Sequence, residues 1–586
     1  MNFKLKVLSA SVAFALANTA SAGLLGAANE IFVGGATAPQ TFFREDILLR
    51  VCDGKPQVFA DEIETAPSSP AATTVLKVGD HVVVRCTTKT GFANPALDGQ
   101  DIAIYKFNGG SATGVAPVVD ATPISILDAT LSGPSACTPV AGGTGSLANE
   151  YPIGTSGRVY ELYVCSDASL VKAQIPDAGI SDVEPTLFKG ALALNFGVEP
   201  RGVSAKPDAP FVDRGNLQLK AGPGLTFGTA VTIPMYDELQ DDQAAAGMLP
   251  DCPPLGAGGT DLATRDPARD TIACMPSLPS PLIRSVFLGQ ITSWADFMPY
   301  GLELDPTRVA KGNDVHVCKR TNGSGTHAQF SVNFLGTNCR SVSNLAMVEQ
   351  NDGLSSSLFG VVGVYGNSGS SDMSDCLDAL ATGKGFDGDF DGLPPESFPG
   401  TGDSTVVPGE DLAATAIPGD PLGRGYNDKT EAYAMGYQSL ENNPDLAFSY
   451  RFVKVDGVAP TLDNVVAGTY KDVYYLTYQN RVAGGSADLK TGAVRTSAPS
   501  AAQVAVANAY FETWNSTAAA AITAVNALLA VDPDGTPGNG DEWETGFVTP
   551  TAGASLEYTS GIPETAFARQ TLSGAPDSCQ DLGLVR

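Results

Sequence analysis

Three times in this chain a short apolar run gives way to a turn of glycines and hydroxyls, and that recurrence restricts the fold more than any other feature. Ile31-Phe32-Val33 runs into Gly34-Gly35-Ala36-Thr37-Ala38-Pro39, with helical periodicity from Thr41 to Val51. Ile102 to Phe107 runs into Asn108-Gly109-Gly110-Ser111-Ala112-Thr113-Gly114-Val115. The third is Val317-Cys318-Lys319-Arg320-Thr321-Asn322-Gly323-Ser324-Gly325-Thr326-His327. A strand, a tight glycine turn and a helix together aim backbone amides at one point in space.

The third stretch reads as an anion cradle. Its glycines let the backbone approach a ligand closely, Ser324 and Thr326 offer hydroxyls, and Arg320 adds a planar donor fork. Phe330 and Phe334 lie four apart on one face of the helix that follows, and Gly336 is placed to end it. The same residues also suit an ordinary helix cap. Phe330, Phe334 and Trp294 read as core, and His327 as a helix-surface histidine.

Residues 1–22 have the form of a secretory signal: Lys4 and Lys6, an apolar run from Val7 to Ala17, then Ala20-Ser21-Ala22. No later run approaches the ~18 apolar residues of a membrane span. Periplasmic or secreted localisation is therefore expected, with no membrane insertion after cleavage. All ten cysteines follow the signal and none forms a C-x-x-C pair, which favours disulfides over zinc or redox chemistry. Pairing of neighbours is the simplest hypothesis: Cys52–Cys86 would close an insertion, and Cys318 would pair with Cys339. A net charge of −29 argues against nucleic acid or an anionic membrane as partner.

The order of motifs resembles the phosphate-binding proteins of ABC transporters. The matching pieces are Gly35 to Pro39, Gly110 to Val115, Ser181-Asp182, Val286-Phe287-Leu288-Gly289-Gln290-Ile291-Thr292-Ser293-Trp294, Arg320 to Thr326, and the return Asp456 to Thr461. The resemblance implies an α/β, two-lobed periplasmic-binding-protein fold of type II, here with disulfide-bearing insertions. Lobe one would take residues 23–228 and 450–586, and lobe two 229–449. Stretches between Cys52 and Gly99 and between Val115 and Cys165 would decorate lobe one, and the stretch around 350–425 would decorate lobe two.

The same resemblance implies that Thr37, the Ala38 amide and Ser111 bind phosphate from one lobe. Arg320, Ser324, Gly325 and Thr326 would bind it from the other. Asp182 would accept a hydrogen bond from a protonated phosphate oxygen and so reject sulfate, since a lone buried acceptor repels a fully ionised anion. Ser166-Asp167 is a rival for that role; Gly179 before and Pro185 after favour Asp182. Two departures stand out: Ala38 replaces a common aromatic, and Asn322 replaces an aspartate that would neutralise the arginine. An ABC permease is the implied partner, with no cofactor, no enzymatic step and a monomeric state.

Asp387, Asp389 and Asp391 resemble the start of a calcium loop, but Phe398 stands where a bidentate glutamate belongs. Asp532-Pro533-Asp534-Gly535 with Asp541 is a less regular case. Three histidines, none in a nucleophile motif, give little support to a triad or a zinc site. A competing reading makes the chain a secreted surface, matrix or adhesion protein on a phosphate-receptor-like fold, with the insertions as contact surfaces.

Overall fold

The structure, a computed structural model, describes residues 29–64, 77–92, 97–188, 217–255, 262–336, 345–348, 362–383, 431–481, 519–550, 564–565, 567–568 and 583–584. Breaks within these ranges fall at 121, 134, 142–145, 148, 155, 263, 310–311, 322, 368 and 536–540. The signal segment, Asn322, Asp387, Asp389, Asp391, Cys339 and Cys579 lie outside the described residues.

The chain opens with β1 (Asn29–Gly35) and α1 (Gln40–Asp46), which runs on as a wider turn through Val51. Then come β2 (Cys52–Ala60), β3 (His81–Thr88), β4 (Asp101–Phe107), β5 (Arg158–Val164) and β6 (Ala178–Ser181). A long strand, β7 (Leu217–Thr232), leads into α2 (Ile233–Ala245), α3 (Ser280–Phe287), β8 (Val315–Arg320) and α4 (Gly325–Asn333). After them come β9 (Val362–Asn367), α5 (Ser370–Thr382) and β10 (Ala434–Ser439). The chain returns along β11 (Val473–Arg481) and ends in α6 (Ala519–Leu529) and β12 (Phe547–Pro550).

These strands form one mixed sheet, ordered β9-β8-β10-β7-β11-β6-β1-β4-β3-β2-β5. Two parallel triads sit inside it. β6 and β4 flank β1, and β9 and β10 flank β8. Every residue of β8 and β10 is buried, as expected for strands covered on both faces. Between the triads run two antiparallel crossovers. β7 pairs through Phe227–Val231 with β10 and through its earlier residues with β11, whose register is irregular between Ala221 and Gly224. β11 in turn pairs with β6, Ser181 opposite Thr477. The sheet is thus two half-sheets joined through two strands, the mixed α/β architecture expected from the sequence.

The expected insertions extend this sheet. β2, β3 and β5 add to the first triad beyond β4, and Cys52–Cys86 ties β2 to β3. Cys137–Cys165 and Cys252–Cys274 also join sequence neighbours. The expected Cys318–Cys339 pair is corrected: Cys318 joins Cys376, their Cα atoms 6.2 Å apart. Cys318 lies inside β8, and the helix that covers this strand is α5, reached only after β9 has been laid beside β8; sequence proximity could not reveal that partner. The stretch from 350 to 425 also needs correction. Its described part, β9 and α5, is core, with Val364, Met373, Cys376 and Leu377 all at 0% exposure.

Local expectations elsewhere are met in the main. Trp294 is fully buried and its indole N–H donates to the Tyr433 carbonyl at 3.1 Å. Phe330 and Phe334 stack at 4.6 Å, and Gly336 adopts a φ of 71° just past α4. Ile522, Val525 and Leu529 of α6 join the same core as α1, and Phe42 of α1 meets Phe547 at 4.6 Å. The second half holds an ionic core in which Arg265 spans Asp237 of α2 (2.6 Å) and Asp270 (2.9 Å), and Arg451 also reaches Asp270 (3.0 Å). No helix among the described residues is long and apolar enough to cross a membrane.

Candidate functional site

Five turns leave the carboxyl ends of the parallel strands, where open α/β sheets place ligands. β1 leads to Thr37, β4 to Ser111, β6 to Asp182, β8 to Ser324 and β9 to Ser370. Four of these turns were singled out in the sequence. The fifth, Gly369-Ser370, repeats the same strand, glycine, hydroxyl and helix pattern and was missed because its surroundings are rich in glycine and aspartate.

The turns meet across the two half-sheets. Arg320 donates through Nη2 to Thr37 Oγ1 (3.3 Å), through Nη1 to Ser370 Oγ (3.2 Å) and through Nε to the Asn367 carbonyl (3.1 Å). The Ala112 amide donates to the Gly323 carbonyl at 2.9 Å, and Gln329 of α4 donates to the Asp182 carbonyl at 3.0 Å. Ser111 Oγ accepts from the Asp182 amide at 3.0 Å. Closeness here demands glycine. A Cβ on Gly325 would stand 2.3 Å from Ser111 Oγ and 2.7 Å from Asp182 Oδ2. Likewise, a Cβ on Gly179 would stand 1.7 Å from the Gly114 carbonyl oxygen.

All eight residues named from the sequence are buried: Thr37, Ala38, Ser111, Asp182, Arg320, Ser324, Gly325 and Thr326. Ser324 caps α4, its Oγ accepting from the His327 amide at 3.4 Å. Asp167 is elsewhere: exposed, it caps a short turn by accepting from the Ser169 amide at 2.8 Å. The Asp456–Thr461 return packs at the start of α3, where Asp456 Oδ1 accepts from the Ser280 amide at 2.8 Å. His327 is not on the surface. It is buried, with Nδ1 2.9 Å from the Arg320 carbonyl, and burial together with Lys319 pushes its pKa down to about 3.

Several polar atoms in and around this cluster lack partners, Gln329 Oε1 and Asn367 Oδ1 among them. Asp182 Oδ1 and Thr326 Oγ1 are shielded from solvent and bonded to nothing, although buried polar atoms are nearly always paired. Burial raises the Asp182 carboxyl to about 6 against the opposing pull of Arg320, the Ser111 hydroxyl and Lys106. Lys106, the penultimate residue of β4, was missed in the sequence. Its ammonium donates to the Ala36 carbonyl at 2.7 Å and to Asn108 Oδ1, and burial lowers its pKa to about 7. It thereby ties the turn after β1 to β4. Elsewhere, carboxylate oxygens of Asp532, Asp534 and Asp541 lie within 4.8 Å of one another, a spacing that acidic surface loops also adopt without an ion.

Fold and side chains define an α/β protein with a buried, donor-rich polar cluster where two half-sheets meet. No protein-family model matches the sequence, and no curated protein is similar to it. Among solved structures it is similar to a putative phosphate ABC transporter substrate-binding protein with bound phosphate from Clostridium perfringens. The identity is 11% and the TM-score 0.29, over 77% of this chain and 86% of that one. An ABC-type phosphate transport receptor from Vibrio cholerae is 12% identical at a TM-score of 0.26, over 60% of this chain and 79% of that one. PstS from Borrelia burgdorferi is 8% identical at 0.24, over 60% and 78%.

Proposed function

We propose that this protein captures one tetrahedral oxyanion, inorganic phosphate, between its half-sheets and serves as an exported receptor for an ABC permease, without a chemical step. The observation that carries this reading is a hydroxyl and a carboxylate oxygen, at Thr326 and Asp182, both buried and both orphaned. They are one donor and one acceptor, on residues whose turns meet at Gly325, and a ligand that satisfies both must accept and donate. Phosphate carrying one proton does so; sulfate only accepts. Thr37, the Ala38 amide, Ser111, Ser324 and the Gly325 amide would complete the donor set, with Arg320 countering the charge.

Calorimetric titration of the mature protein with phosphate and sulfate tests this. Phosphate heat that disappears in Arg320→Ala, and sulfate excluded by the wild type but admitted by Asp182→Asn, are the expected results. Absence of binding by any oxyanion would overturn the reading. A second reading, a secreted surface or assembly protein, draws on the extension of the first half-sheet by β2, β3 and β5 with its own disulfides. It predicts self-association or adhesion unaffected by Arg320→Ala.

A further inference from the structure

Ser370 stands at the first turn of α5, in a triangle with two residues from other elements. Its Oγ is 3.1 Å from Thr37 Oγ1, and Arg320 donates to both, at 3.2 Å to Ser370 and 3.3 Å to Thr37. All three side chains are at least nine-tenths buried, with exposures of 1% for Ser370, 5% for Thr37 and 2% for Arg320. Thr37 comes from one half-sheet and the other two from the second.

The protons do not balance within the triangle. A guanidinium only donates, so both hydroxyl oxygens accept from Arg320 and both hydroxyl protons must be used elsewhere. The contact between Thr37 and Ser370 uses one of them. The other is given no acceptor by the hydrogen bonds of the triangle, so one hydroxyl proton is left over among the described residues. Nor is the Ser370 hydroxyl needed by its own helix. The α5 N-cap is Gly369, whose amide donates to Asp372 Oδ2 at 2.8 Å, so the cap is closed without Ser370.

We propose that Ser370 is a direct ligand of the same anion, a hydroxyl from a fifth turn, which together with Thr37 turns its proton onto the anion while both oxygens keep accepting from Arg320. This rests on the phosphate reading. The two hydroxyls hydrogen-bond to each other across the seam; an anion oxygen would replace that neutral bond with two charge-assisted ones. The thirteen-residue α5 adds its N-terminal dipole on the same side.

The test is titration calorimetry of the full mature protein with inorganic phosphate, in wild type, Ser370→Ala, Ser370→Thr and Ser371→Ala, with the melting temperature of each ligand-free protein measured alongside. Expected are a loss of about tenfold or more in affinity for the alanine variant, near wild-type affinity for the threonine variant that keeps the hydroxyl, and no change for Ser371→Ala. Ligand-free melting temperatures should stay together. Wild-type affinity in Ser370→Ala would overturn the proposal while leaving the phosphate reading intact. Equal losses in the alanine and threonine variants would also overturn it, since binding would then depend on shape and not on the hydroxyl; the threonine variant decides the matter if the alanine variant does not fold. No binding by the wild type would remove the phosphate reading, and this proposal with it.

Discussion

Asp182 is held in a state that costs the ligand-free protein stability. Its folded pKa of about 6 lies above the ordinary 3.8, so between those values the folded chain keeps a proton that the unfolded chain releases. Stability therefore falls as pH rises from about 4 to about 6, and the penalty is complete above that; two units correspond to roughly 3 kcal/mol. Asp182→Asn should raise the ligand-free melting temperature at pH 7 and abolish this slope, as seen by thermal unfolding across pH. Phosphate affinity in the wild type should weaken below about pH 6, as the carboxylate takes up a proton, and sulfate should begin to bind. His327, whose pKa burial holds down to about 3, titrates below this window. A His327→Gln variant that retains the pH 6 transition supports this assignment; one that loses it moves the titration to the histidine.

The element that closes the cluster is α4, and its first residue sets how near the half-sheets come. Gly325→Ala places a methyl 2.3 Å from Ser111 Oγ, so the turns must part. Phosphate binding should be lost in a protein that still shows native circular dichroism, whereas retained affinity would mean that the turns yield cheaply. α5 is held to β8 by Cys318–Cys376, which closes a loop of 58 residues. The double replacement Cys318→Ala/Cys376→Ala should lower unfolding stability by about 4 kcal/mol on the loop-entropy account. Denaturant titration measures the loss, and peptide mapping of the oxidised protein checks the pairing itself.

At the scale of the molecule, the half-sheets touch through the cluster and are joined by β7 and β11. Donors from each side meet at one point, so a ligand there couples the two halves. Saturating phosphate should raise the melting temperature in proportion to the logarithm of its concentration. It should also contract the radius of gyration seen by small-angle scattering. Identical scattering with and without phosphate would show that the halves stay closed and that ligand exchange needs only a local opening.

The sequence alone determined the strand-turn-helix runs at β1 and β8, the strand and glycine-hydroxyl turn at β4, and the residue types those turns carry. Glycine-hydroxyl turns after apolar runs, the Arg320 to Thr326 stretch and the periodicity of α4 are local patterns, and local backbone preference and side-chain chemistry suffice to read them. Disulfides between sequence neighbours were legible for the same reason. Tertiary structure decided the rest. Lys106 is a lone cation in an apolar strand until the sheet lays it beneath the Ala36 carbonyl, and Cys318 cannot be paired until β9 and α5 are stacked on β8. The left-over hydroxyl proton of the Thr37–Ser370 pair likewise exists only because two distant turns and Arg320 are brought within 3.3 Å of one another. Hydrogen-bond balance in a buried cluster depends on all contributing elements at once, and a sequence presents them one at a time.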